Sequence, residues 1–128
     1  MSNLDLFVAD YSSPDIDIES WSPVPTEPVY FLLEFSVGVR GDPASDVFYV
    51  IVATPEGLRS RSVGGELVIS ARGTIVVSDY SWSATRSAVE AIIRDCASPT
   101  WVESVMKLQR FFHWEYEDYQ LVESDEPG

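Results

Sequence analysis

Apolar and polar residues alternate strictly between Phe31 and Val39. Phe31, Leu33, Phe35, Val37 and Val39 fall on one side, Leu32, Glu34, Ser36 and Gly38 on the other. A repeat of two is that of a strand, so this stretch predicts a strand with one buried face. Gly41, Asp42 and Pro43 supply turn chemistry, and Asp46 to Thr54 predicts a second strand with Val47, Tyr49 and Ile51 on one side and Phe48, Val50 and Val52 on the other. The two are expected to pair as an antiparallel hairpin. The second, apolar on both faces, is expected to be central in its sheet. Leu4 to Tyr11 predicts a first strand, with Asp5 and Asp10 marking an exposed face.

Further along, Thr54 and Pro55 end the second hairpin strand, and the polar stretch to Gly65 reads as a turn and connecting loop. Glu66 to Ala71 and Thr74 to Tyr80 predict two more strand segments around Arg72 and Gly73. The period then changes. Ala88, Val89, Ile92, Ile93 and Cys96 recur at three- and four-residue spacing behind Ser83, which predicts a helix capped by that serine. Pro99 forbids its continuation. Thr100 and Glu103 form a T-x-x-E capping signal for a second helix, whose inward stripe is expected to be Trp101, Val105, Leu108 and Phe112, joined by Val102.

Strands first and helices last predict an α+β fold: an antiparallel sheet of four to five strands with two C-terminal helices packed on one face. A chain of 128 residues with 45% hydrophobic content fits one domain, residues 1–128. Residues 12–29 hold Pro14, Pro23, Pro25 and Pro28 with Asp15, Asp17, Glu19 and Glu27, and predict a long acidic loop that Trp21 pins to the body. Residues 121–128 predict a frayed acidic tail. The start of the chain lacks the basic residues of a secretory signal, and Val47 to Ala53 is too short to span a bilayer. A cytoplasmic protein is therefore expected. The single cysteine, Cys96, lies on an apolar helical face and is expected in the core.

Charge changes the picture through its placement. The formal net charge is −13, yet residues 40–112 hold eight acids and eight bases. Residues 1–39 carry seven acids and residues 113–128 six, and neither stretch contains a Lys or Arg. The excess sits wholly at the two ends. Such a field repels nucleic acid and anionic membranes, and it speeds encounter with a basic protein.

Catalytic chemistry finds little to work with. His113 is the sole histidine, so no His pair exists to hold a catalytic metal, and between Phe112 and Trp114 it reads as a packed or surface side chain. Gly64-Gly65 lacks the rest of a phosphate-binding loop, and no G-x-S-x-G elbow occurs. Asp15-x-Asp17-x-Glu19 opens like a calcium loop, but Ser20 stands where the glycine belongs and Thr26 where the closing glutamate belongs. Any acidic chain offers carboxylate pairs for glycosidase work, so a hydrolase would need two of them converging in a pocket. The expectation is a protein that is not an enzyme and takes no cofactor and no metal. Trp114, Tyr116 and Tyr119, set among carboxylates, could either anchor a partner or fold back onto the sheet.

In order and spacing, these residues resemble the immunity protein 8 family of bacterial polymorphic-toxin and contact-dependent inhibition systems. The resemblance is carried by Ser13-Pro14-Asp15, the strand ending in Val37-Gly38, Thr54-Pro55, and Ile75-Val76-Val77 leading to Asp79-Tyr80. Cys96, Trp101-x-Glu103 and Trp114-Glu115-Tyr116-Glu117-Asp118-Tyr119 complete it. The loop from Arg59 to Gly65 departs from the pattern. The resemblance implies a protein that binds and neutralises the toxin encoded beside it, protecting the producing cell.

A basic nuclease is the favoured partner, because enzymes that hold phosphates are commonly basic. The candidate contact residues are Asp15, Asp17 and Glu19 in the loop and Glu115, Glu117 and Asp118 near the C-terminus, acting as mimics of the phosphate backbone. Neither nucleic acid nor membrane is expected as a partner. The alternative is an acidic interaction adaptor or structural module without a toxin. The sequence leaves open the oligomeric state, the toxin's identity, and whether inhibition is by occlusion or at a distance.

Overall fold

The computed structural model describes residues 2–61 and 72–117. The alternating stretch is strand β2 (Tyr30–Val39), paired antiparallel with β3 (Ser45–Ala53) in a register that sets Phe35 opposite Phe48 and Leu33 opposite Val50. Gly41 turns the hairpin with φ +89°, and the Asp42 side chain accepts from the Ala44 N–H at 2.9 Å. Strand β1 (Leu6–Ser12) pairs antiparallel on the other side of β2. A bulge at Ala9 shifts its register between Val8 and Asp10. That extra residue lets Leu6 and Val8, and after it Tyr11, all face the core.

The sheet has five strands and is mixed, where a wholly antiparallel one was expected. Strand β4 (Thr74–Val76) runs parallel to β3 along Ile51–Ala53, and β5 (His113–Trp114) runs antiparallel to it at Phe48 and Tyr49. The cause lies just after β3. Residues 55–65 were expected to be loop, but Pro55–Ser60 forms helix α1, capped by Thr54. Proline at the first helical position has no N–H to lose, so Pro55 ends the strand and starts the helix. Strand β4 therefore pairs as a parallel neighbour, which no tight hairpin turn from β3 could deliver. Strand β4 is shorter than the expected Thr74–Tyr80, because Tyr80 turns inward onto Trp21 (ring centroids 5.3 Å) and Phe31 (5.5 Å). The strand expected at 66–71 lies outside the described residues.

Helix α2 (Trp82–Cys96) is capped by Ser81, not Ser83: the Ser81 hydroxyl accepts from the Ala84 N–H at 3.1 Å. Starting two residues early puts Trp82 in the first turn, where its ring meets Tyr11 edge-on at 5.0 Å. Helix α3 (Trp101–Leu108) begins where the capping signal places it, with Thr100 Oγ1 accepting from Glu103 N–H. Its buried side is Ser104, Val105 and Leu108. Val102, expected to join the inward stripe, is 68% exposed, because it stands on the opposite side of the helix from Ser104. Ser104 can be buried because its hydroxyl accepts from Ser98 N–H and donates to the Thr100 carbonyl.

Both longer helices cover one face of the sheet. Phe31, Leu33, Phe35 and Val37 of β2 and Phe48, Val50 and Val52 of β3 pack there against Val89, Ile93 and Cys96 of α2 and Val105, Leu108 and Phe112. Phe35 meets Phe112 edge-on at 4.9 Å. The buried cysteine is free, and burial raises its thiol above the usual range. The loop between β1 and β2 contributes Ile18 and Val29 to the core, and Trp21 packs against Phe31 at 6.1 Å, so the loop is pinned as expected. No helix among the described residues is long and apolar enough to cross a membrane.

Candidate partner-binding surface

The five candidate carboxylates that lie among the described residues do not form one patch. Asp15 lies beside β2, where its Oδ2 accepts from the Leu32 N–H at 2.9 Å. The pairing of β1 with β2 ends at Ser12 and Glu34, so Leu32 has no strand partner on that side, and Asp15 takes its place. Asp17 shapes the loop: its Oδ1 accepts from Glu19 N–H, and its carbonyl accepts from Ser20 and Trp21. Glu19 is exposed. The loop carboxylates are thus anchored at Asp15 and presented at Asp17 and Glu19.

Thr26, farther along this loop, has φ 72°. That left-handed backbone is unusual for a β-branched residue, and strain of this kind concentrates where a loop has work to do. Pro23, Val24, Pro25, Thr26 and Glu27 wall a cavity of about 260 Å³ against Thr54 and Tyr80. Val24 is 66% exposed beside it.

Glu115 and Glu117 are engaged inside the fold. Glu115 extends the sheet beyond β5: its N–H donates to the Val47 carbonyl and its Oε2 accepts from the Val47 N–H. Next to it, the Trp114 indole N–H donates to Asp46 Oδ2 at 3.1 Å. Burial raises the Asp46 carboxyl above its usual range, the Trp114 hydrogen bond lowers it, and the neighbouring Glu115 charge raises it again. Tyr116 is exposed and its ring packs edge-on against Trp114 at 5.4 Å.

Glu117 is a hub. It forms an ion pair with Arg72, accepts from the Trp114 N–H at 3.1 Å, and stands 3.4 Å from His113 Nδ1. The Arg72 guanidinium also donates to the Gln109 carbonyl, so this pair ties the entry to β4 to the end of α3. His113 stacks on Tyr49 at 5.8 Å, a packed histidine as expected. Gly73 lies flat against that ring, and a Cβ there would come within 2.4 Å of Nε2. Asp118 lies outside the described residues. Sequence reasoning missed Arg72 as the partner of Glu117, since nothing in the spacing of two residues so far apart connects them.

A third polar cluster joins β1 to α2. The Tyr11 hydroxyl donates to Glu90 Oε2 at 2.8 Å, and Arg86 Nε meets the same oxygen at 3.0 Å. The Arg86 contact holds the Glu90 carboxyl below its usual range, while burial and the Glu90 charge push the Tyr11 phenol up. The described residues contain no group of His, Cys, Asp and Glu arranged to hold a metal.

The described residues form a mixed-sheet α+β fold with carboxylates on the β1–β2 loop and at the β3 edge. The chain belongs to the immunity protein 8 family, whose model matches residues 6–119. No curated protein and no solved structure matches it. Membership makes it an immunity protein, with a cognate toxin as its partner.

Proposed function

We propose that this protein neutralises the toxin domain encoded beside its own gene by binding it in the cytoplasm, without catalysis. The observation that carries this reading is the family match, which spans every described strand and helix. The toxin is proposed to be basic, a nuclease before other classes, because a net charge of −13 placed at the two ends of the chain draws a positive partner and repels its nucleic-acid substrate. Asp17 and Glu19 are the carboxylates best placed to stand in for phosphates, being free of ion pairs among the described residues and held out by the Asp15 anchor. Glu115, whose carboxylate accepts from the Val47 N–H, is tied to β3 first. Glu117, held by Arg72, serves the fold first.

Co-expression with the neighbouring toxin domain tests the reading. Growth is expected to be restored and the two chains to co-purify. A toxin domain that still kills and never co-purifies would leave an acidic adaptor as the better account.

A further inference from the structure

The sheet has two unlike edges. The edge of β3 turned away from β2 is closed by β4 at Ile51–Ala53 and by β5 at Phe48 and Tyr49. The edge of β1 turned away from β2 carries no strand among the described residues. Hydrogen bonding fixes which groups it offers. The Asp5 carbonyl accepts from the Arg40 N–H at 2.9 Å, so Asp5, and Phe7 two residues on, turn their main chain toward β2. In an antiparallel ladder the intervening residues face the other way, which leaves the N–H and C=O groups of Leu6 and Val8 on the open side. Leu4 shares that parity, and its N–H already donates to the Ser98 carbonyl at 2.9 Å. The open ladder therefore starts at Leu6. The bulge at Ala9 ends it.

Alongside runs a trough of about 290 Å³ between β1 and α2. Its lining is mostly polar: Asp5 and Arg40 contribute, Arg86, Glu90 and Arg94, successive i,i+4 positions on α2, form its wall, and Leu6 and Ile93 beneath are nearly fully buried. Arg86 is paired with Glu90, whereas Arg94 is exposed and enters no ion pair among the described residues. A strand edge beside a helix flank is the geometry in which proteins take up an extended segment: main-chain bonds hold it and the trough sorts its side chains.

We propose that the Leu6–Val8 edge takes up an extended, polar segment of the toxin domain as an added strand, laid along the trough with one of its carboxylates on Arg94. This rests on the immunity reading above. A toxin segment is favoured over a second copy of the chain, since two molecules each at −13 repel. The acidic loop follows β1 on the same side of β2, where Asp15 takes the Leu32 N–H, so the charges that steer the partner lie on the side of the sheet that receives it.

Hydrogen exchange of the co-purified complex tests this. The Leu6 and Val8 amides are expected to exchange at least tenfold more slowly in the complex than in the free protein. Arg94→Gln, on an exposed helix flank, is expected to weaken binding at least tenfold while moving the thermal midpoint by no more than about two degrees. Exchange of both amides at the free rate within a complex that does form overturns the proposal. The same slowing in the free protein as its concentration rises would assign the edge to a second copy instead, and also overturns it. A toxin domain that never co-purifies overturns the immunity reading itself.

Discussion

Glu117 and Arg72 form an ion pair that ties the segment after β5 to the residues leading into β4, and the same arginine holds the Gln109 carbonyl at the end of α3. Three pieces of chain far apart in sequence meet there. The Glu117 side chain is only 18% exposed, so its removal leaves the Trp114 N–H and the Arg72 guanidinium short of an acceptor. Glu117→Ala is expected to cost about 2 kcal/mol, read from the shift in urea midpoint, and Glu117→Gln, which can still accept from Trp114, roughly half as much. Equal losses for both would show that the charge carries the whole effect, and a native-like Glu117→Gln that it contributes nothing.

Thr54 serves two elements with one oxygen. Its Oγ1 accepts from Gly57 N–H, capping α1, and from Val29 N–H at the entrance to β2, both at 3.1 Å, and the residue is 3% exposed. Thr54→Val keeps the shape and strands both donors. A loss of about 2–3 kcal/mol is expected by chemical denaturation, with Thr54→Ser close to the native protein.

Acid should act through Glu90. Arg86 and then Tyr11 hold its carboxyl below the ordinary value of 4.5, which it regains on unfolding. The folded state therefore binds this proton less readily, and the stabilisation is full above about pH 4.5 and lost as pH falls through the lower folded value. Asp46, raised by burial, has the opposite sign: its protonation favours the folded state as pH falls. Relative to Glu90→Gln, the native protein's thermal midpoint should drop more steeply below about pH 4.5. Parallel curves for the two proteins would remove Glu90 from the account.

Steering by the loop is separable from stability. Asp17→Asn keeps an oxygen for the Glu19 N–H, and Glu19→Lys changes an exposed position. Together they are expected to leave the thermal midpoint within a degree or so, while slowing association with the toxin domain by roughly three- to tenfold at low salt and flattening its salt dependence. Stopped-flow rates at two ionic strengths read this directly. Unchanged rates would remove the loop carboxylates from the encounter.

Local signals decided what the sequence could decide alone. The two-residue period of Phe31–Val39 fixes a strand and its buried face, because side chains alternate across any strand whatever its neighbours. Thr100-x-x-Glu103 fixes the start of α3, because a cap is made within a single turn. Charge placement is likewise a property of the chain. The parallel partner of β3 was not legible, since Pro55 ends a strand and starts a helix equally well, and the direction of β4 follows only from the crossover. Nor could spacing reveal that Glu117 meets Arg72, or that Ala9 bulges to bring Tyr11 inward. The candidate carboxylates divide on the same line. Sequence found all six as acidic residues at the two ends of the chain. Only the tertiary structure sorted those described, because whether a carboxylate faces solvent or an internal donor depends on what the fold brings beside it. It leaves Asp17 and Glu19 outward and gives Glu115 to Val47 and Glu117 to Arg72.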